Sequence, residues 1–142
     1  MNVDIVISQE PNIRADAYKV RVAVFVDEQG FRDVPDEIDS YAYHIAAYDG
    51  DMVAGCGRFF PEGSTQYYHI GRIAVLPEYR GKNIGTAIML EIEDYLKKLG
   101  SKGAVLSAQR RARGFYEGLG YLVVGEEYLE ENYPHINMKK CF

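Results

Sequence analysis

The densest chemistry in this sequence lies at Arg80, Gly81, Lys82, Asn83, Ile84, Gly85 and Thr86. An apolar run ends at Pro77, a basic and glycine-bearing turn follows, and an amphipathic pattern begins at Ile84. A helix start leaves its first amides unpaired and carries the positive end of the helix dipole. Glycine lets an anion approach the backbone with no Cβ in the way, and Arg80 and Lys82 add charge. The chemistry on offer is capture of a phosphate or diphosphate. A plain strand–turn–helix junction has the same outline, so the flanking residues must decide.

Two familiar phosphate cradles do not fit. A nucleotide P-loop needs Gly-Lys followed by Ser or Thr, and Gly85 is followed by Thr86-Ala87; the dinucleotide pattern Gly-x-Gly-x-x-Gly is absent. The stretch Val75-Leu-Pro-Glu-Tyr-Arg-Gly-Lys-Asn-Ile-Gly85 does resemble the acetyl-CoA loop of the GNAT superfamily of N-acetyltransferases, Val-x-Pro-x-x-Arg-Gly-x-Gly-Ile-Gly. Asn83 stands where a glycine is usual. Asn tolerates positive φ better than most residues, so the loop shape is expected to survive. Ala112-Arg-Gly-Phe-Tyr-Glu-Gly-Leu-Gly-Tyr121 resembles a second superfamily motif, Ala-x-x-Phe-Tyr-x-x-x-Gly-Phe/Tyr. Val20–Asp39 and Pro134-His-Ile-Asn-Met138 are similar to small bacterial ElaA-like members and extend the match to nearly the whole chain.

The resemblance implies one N-acetyltransferase domain over residues 1–142 and acetyl-CoA as cosubstrate. It also implies a wedge between strand Tyr67–Leu76 and strand Val105–Gln109. The pantetheine arm would pair with Ile73, Ala74 and Val75 like an added strand. The amides from Gly81 to Thr86, with Arg80 and Lys82, would hold the phosphates, helped by Gln109 and some of Arg110, Arg111 and Arg113. A backbone N–H near Val75 would stabilise the oxyanion. An amine would attack directly in a ternary complex, and Tyr116 would protonate the departing thiolate as general acid.

A primary amine is protonated at neutral pH, its pKa lying near ~10.4, so a base must take its proton directly or through water. Glu28, Glu37, Asp39, His44 and His135 are the candidates, and each has a plain structural reading as well. Phe25, Glu28, Glu37 and Asp39 form the candidate acceptor side. Charge supports that division: residues 1–71 hold five Lys/Arg against twelve Asp/Glu, whereas residues 72–113 hold nine against four. A cationic acceptor on the first side and a phosphate-bearing donor on the second would both be drawn in.

These residues need elements to place them. Val3–Ser8 alternates as a half-buried strand does, and Pro11 suits a first helical turn, with apolar spacing that predicts helix to about Val26. Gly30 to Tyr43 reads as an acidic loop. His44–Tyr48 and Met52–Phe60 flank Asp49-Gly50-Asp51, a hairpin signal, and Pro61–Thr65 is a second turn. The Ile84 pattern should stop at Gly100. Ala104–Ala108, Tyr121–Val124 and His135–Met138 read as strands and Arg113–Leu119 as a short helix. The expected fold class is α/β: a single-domain, mixed, mostly antiparallel sheet flanked by helices, with a splayed strand pair.

At 142 residues the chain has the size of one domain. Its net charge of −5 argues against nucleic acid as a partner, and no apolar run is long enough to cross a bilayer. Cys56 and Cys141 follow no metal or disulfide spacing, which suits a reducing cytoplasmic setting and no metal. The partner expected is a small-molecule or peptide amine, with homodimerisation left open by the resemblance. Two alternatives stand beside the transferase: a non-catalytic acyl-CoA-binding module, and an enzyme like the acyl-homoserine-lactone synthases.

Overall fold

The structure is a computed structural model that describes residues 2–32 and 35–142; positions 33 and 34 of the expected loop lie outside the described residues. Among the described residues seven strands form one sheet in the order β1-β2-β3-β4-β5-β7-β6. Strands β1 (Asp4–Ser8), β2 (Tyr43–Asp49), β3 (Met52–Pro61) and β4 (Tyr67–Val75) make the antiparallel half. The Asp-Gly turn joins β2 to β3, and Gly50 adopts the positive φ, 59°, that this turn requires. Helix α2 (Ile84–Lys98) crosses from β4 to β5 (Gly103–Gln109), which runs parallel to β4. Helix α3 (Arg113–Gly118) leads to β6 (Leu122–Glu130), and β7 (Tyr133–Cys141) returns between β5 and β6.

The two long helices cover opposite faces, and the alternation of β3 shows why. A Cβ at Gly55 or Gly57 would stand 2.9 or 3.7 Å from Ile88 of α2. Cys56, pointing the other way, packs with Ala17, Val20 and Val24 from α1 (Pro11–Arg21) and its continuation. On the α2 face, Ile84, Ile88, Met89, Ile92 and Leu96 are buried against Ile45, Phe59, Leu106 and Met138. That spacing is the apolar stripe a sheet-covering helix needs.

Helix α1 does not stop at Val26. It runs as α-helix to Arg21 and then widens into a π-helical segment, Val22–Glu28. The extra residue per turn explains why the valine run fits neither a strand nor a regular helix. The chain then turns at Gly30, φ 80°.

Strands β4 and β5 pair only at Tyr67, Tyr68 and His69 against Gly103, Ala104 and Val105. Beyond that they part. Between the pairs Cys56–Ala74 and Arg58–Gly71, Arg72 and Ile73 face the single Gly57, a β-bulge with Arg72 at φ 54°. Bulges bend and twist a strand, and this one lies where β4 leaves β5.

Candidate functional site

The splay opens a cavity of about 720 Å³ between β4 and β5, reaching the π segment and the β6–β7 hairpin. A second cavity, about 460 Å³, lies over the loop that starts α2. Ile73, Ala74, Val75, Arg80 and Tyr116 line both, so the two form one path. Its narrow end is built by backbone. Gly81 and Asn83 take φ of 76° and 62°, the left-handed turn that lets the chain enter α2. Asn83 therefore does conformationally what a glycine would do, at the N-cap of the helix.

The first donor of α2 is Ala87 N–H, to Asn83 O at 3.0 Å; among the described residues the amides of residues 81–86 bond to no other backbone group. A Cβ added at Gly81 would meet nothing within 4 Å. Unbonded amides at a helix N-terminus, with open space before them, fit a diphosphate. Gly85 sits 3.4 Å (as a virtual Cβ) from the Phe115 ring, which closes that side of the loop.

The cations are less free than the sequence implies. Arg80 forks onto Glu28, Nη1 to Oε2 at 2.8 Å and Nη2 to Oε1 at 2.6 Å, while its Nε donates to Val75 O at 3.0 Å. The Arg80 hydrogen bonds hold the Glu28 carboxyl below its usual range. Lys82 lies over the Tyr79 ring at 5.7 Å. Arg110 forks onto Glu127 and Arg113 pairs with Glu117. Arg111 Nε donates to Gln109 Oε1 at 3.0 Å, and Gln109 Nε2 in turn to Gln29 Oε1 at 2.9 Å.

Tyr116 stands at the junction. It is half-buried, its hydroxyl has no hydrogen-bond partner among the described residues, and burial pushes its pKa up to about 12. Tyr121 N–H bonds to Tyr116 O at 3.0 Å. Tyr121 is itself tied by its hydroxyl to the buried Glu93, at 2.8 Å, and Glu93 accepts Lys140 Nζ at 2.7 Å. The Gly-Tyr end of the second motif thus fixes α3, and with it Tyr116, to α2 and β7.

Phe25, Glu28 and His135 reach the larger cavity. His135 Nδ1 donates to Tyr133 O at 2.9 Å. That leaves Nε2 facing Glu130 at 3.3 Å. Asp39 and Glu37 do not join them. Asp39 is buried and accepts Arg21 Nη1 and Arg58 Nη1, each at 2.8 Å. Its Oδ2 accepts Asp36 N–H at 3.0 Å, and Asp39 lines neither cavity, so the role the structure gives it is a structural one. Glu37 is exposed on a 3₁₀ turn, Glu37–Ser40, away from the cavity lining. His44 is buried beneath that turn, donating from Nε2 to Asp39 O at 3.0 Å, and burial lowers its pKa.

Several cavity residues escaped the sequence reading, among them Phe31, Ser107, Tyr128, Glu130 and Asn137. Ser107 had a signal: it is two residues from Gln109 on β5 and shares its face. It contacts Tyr128 Oη, which also donates to Asn137 Oδ1 at 3.2 Å. Tyr128 and Glu130 had none, because the β6–β7 hairpin extends well past the apolar stretch Tyr121–Val124.

A family model described as Acetyltransferase (GNAT) domain matches residues 13–142. The chain is 36% identical over 138 residues to the uncharacterized N-acetyltransferase YjcF of Bacillus subtilis, covering 95% of this chain and 97% of that one. It is 29% identical over 127 residues to the protein ElaA of Escherichia coli, covering 86% and 83%. The crystal structure of an acyl-CoA N-acyltransferase from Pseudomonas aeruginosa shares the fold, with a TM-score of 0.88 at 23% identity over 99% of this chain and 100% of that one. The wedge, the glycine-and-asparagine loop and these likenesses agree: this chain is a member of the GNAT acetyltransferase family.

Proposed function

We propose that the protein transfers an acetyl group from acetyl-CoA to a primary amine, which attacks the thioester directly while both substrates are bound. One observation supports this reading most: two open backbone surfaces run into each other. The edge of β4 from Ile73 to Val75, unpaired on the β5 side, continues into the unbonded amides of residues 81–86. The first suits the amides of a pantetheine arm as an added strand would. The second suits a diphosphate.

The bound coenzyme supplies an acyl thioester with a thiolate as leaving group. Val75 N–H would face the oxygen as negative charge develops on it. Tyr116, with a pKa near 12, keeps its proton at neutral pH and has it to give as sulfur departs. The attacking nitrogen loses its own proton to the acceptor side, where Glu28 and His135 are the candidate groups. Phe25 supplies an apolar surface beside them. The spacing of Cys56 and Cys141 matches no disulfide framework, and a cytoplasmic setting belongs to the same reading.

The second reading, a binding-only module, leaves the unpartnered phenol at the cavity junction without a task. Release of free thiol from acetyl-CoA, followed across a panel of primary amines, separates the two. Amine-dependent release is expected; coenzyme binding with no release under any amine would favour the module.

A further inference from the structure

Arg80 begins the donor loop, yet its guanidinium is engaged by groups of the protein itself. It gives two bonds to Glu28 and one to Val75 O. The Val75 contact has a direction. Leu76 N–H bonds across to Ala54 O of β3, so strand alternation turns the N–H and C=O of Val75 the other way, into the wedge. Arg80 thus ties the free edge of β4 to the last turn of the π segment. It lines both cavities, whereas Glu28 lines the larger one alone. The Arg80 and Glu28 side chains are 43% and 39% exposed, so the pair is screened by water and open to a competing ligand. A diphosphate at residues 81–86 would offer the fork more negative charge than one carboxylate, next to the same helix N-terminus.

Building on the acetyl-CoA reading above, we propose that Arg80 and Glu28 are an exchange pair. The coenzyme diphosphate takes the guanidinium from Glu28, and the released carboxylate becomes the docking group for the acceptor's ammonium. Loading the donor therefore uncovers the acceptor's anchor. Arg111, the other cation acting on Glu28, is occupied with Gln109 and does not replace Arg80. The competing picture is a permanent brace that holds the π segment to the loop whatever is bound.

Titration calorimetry with CoA on the wild type and on Glu28→Gln distinguishes them. Exchange predicts that Glu28→Gln removes the charge competing for Arg80, so CoA binds several-fold tighter. Pantetheine, which has no diphosphate, should bind both proteins alike. With whichever amine of the panel releases thiol, the same variant should show a higher KM for that amine, opposite in sign to its gain in CoA affinity. Equal or weaker CoA binding by the variant would overturn the exchange. Should the variant fail to fold, the CoA complex of the wild type decides: Arg80 on phosphate and parted from Glu28 supports the exchange, and an intact two-bond pair overturns it. If CoA does not bind the wild type at all, the acetyl-CoA reading itself falls.

Discussion

Tyr116 and Glu28 show how a side chain's surroundings, rather than its type, decide what it can do. Tyr116 is one of twelve tyrosines, but its hydroxyl stands unpartnered among the described residues where the two cavities meet. Tyr116→Phe keeps the ring and its packing against Phe115 and Tyr121 and removes only the hydroxyl. Turnover is expected to fall by ~10²-fold or more, the scale of general acid catalysis, with CoA affinity nearly unchanged. Steady-state kinetics beside calorimetry measures both; unaltered turnover would remove the acid role. Asn83 makes a conformational point at the same scale. Its φ of 62° is tolerable for Asn and costly for a β-branched residue. Asn83→Val should lose about 1–2 kcal/mol in a denaturant melt, with weaker CoA binding, whereas Asn83→Gly should keep both.

Among the elements, the bulged strand β4 and the π segment do the positioning. A regular β4 would keep pairing with β5 past His69 and leave no wedge. At Gly57, opposite the bulge, a Cβ would lie 2.6 Å from Ile73 Cδ1, so the flexible end of that side chain would have to turn aside. Gly57→Ala should therefore destabilise the fold by about 1 kcal/mol, the low end of overpacking, and leave the backbone of β4 in place. Melting beside CoA titration reads this; a much larger loss, or weaker CoA binding, would show that the strand itself is displaced. The π segment carries Phe25 and Glu28 into the cavity by adding a residue to the turn, a deformation often found at functional sites.

On the scale of the whole molecule, a buried charge cluster holds α1 and the Glu37–Ser40 turn to the sheet. Asp39 receives Arg21 from α1 and Arg58 from β3, and Arg58 also reaches Asp36 at 2.9 Å. Burial pushes the Asp39 carboxyl up, but the bonds from Arg21, the backbone of residue 36 and Arg58 overcome it and hold the pKa well below the usual range. A folded-state pKa below the unfolded one contributes stability that is complete above the unfolded value, near ~3.9. That stability drains as pH falls from there toward the depressed folded value. Urea melts should thus show constant stability from neutral pH to about pH 5 and a decline in acid, for this group's share. Asp39→Ala should cost about 3–5 kcal/mol by removing the carboxylate that two buried guanidiniums share and should flatten that acid decline. An equally stable variant would show the cluster to be dispensable.

The sequence by itself determined what depends on neighbours along the chain. The hairpin at Asp49-Gly50-Asp51 and the helix ending before Gly100 follow from local backbone preferences, as does the left-handed Asn83. The donor loop is legible for the same reason: its amides and glycines are consecutive, so their spacing survives in one dimension. The larger cavity is assembled from Phe31, Ser107, Tyr128 and His135, residues as far apart as the loop after the π segment and the last strand. Only tertiary structure decided that β7 slots between β5 and β6, bringing His135 to the wedge. It also decided that Asp39 is spent on two arginines while Glu28 is shared with the donor loop. Carboxylates look alike in a sequence; which cation each one meets depends on how the sheet closes around it.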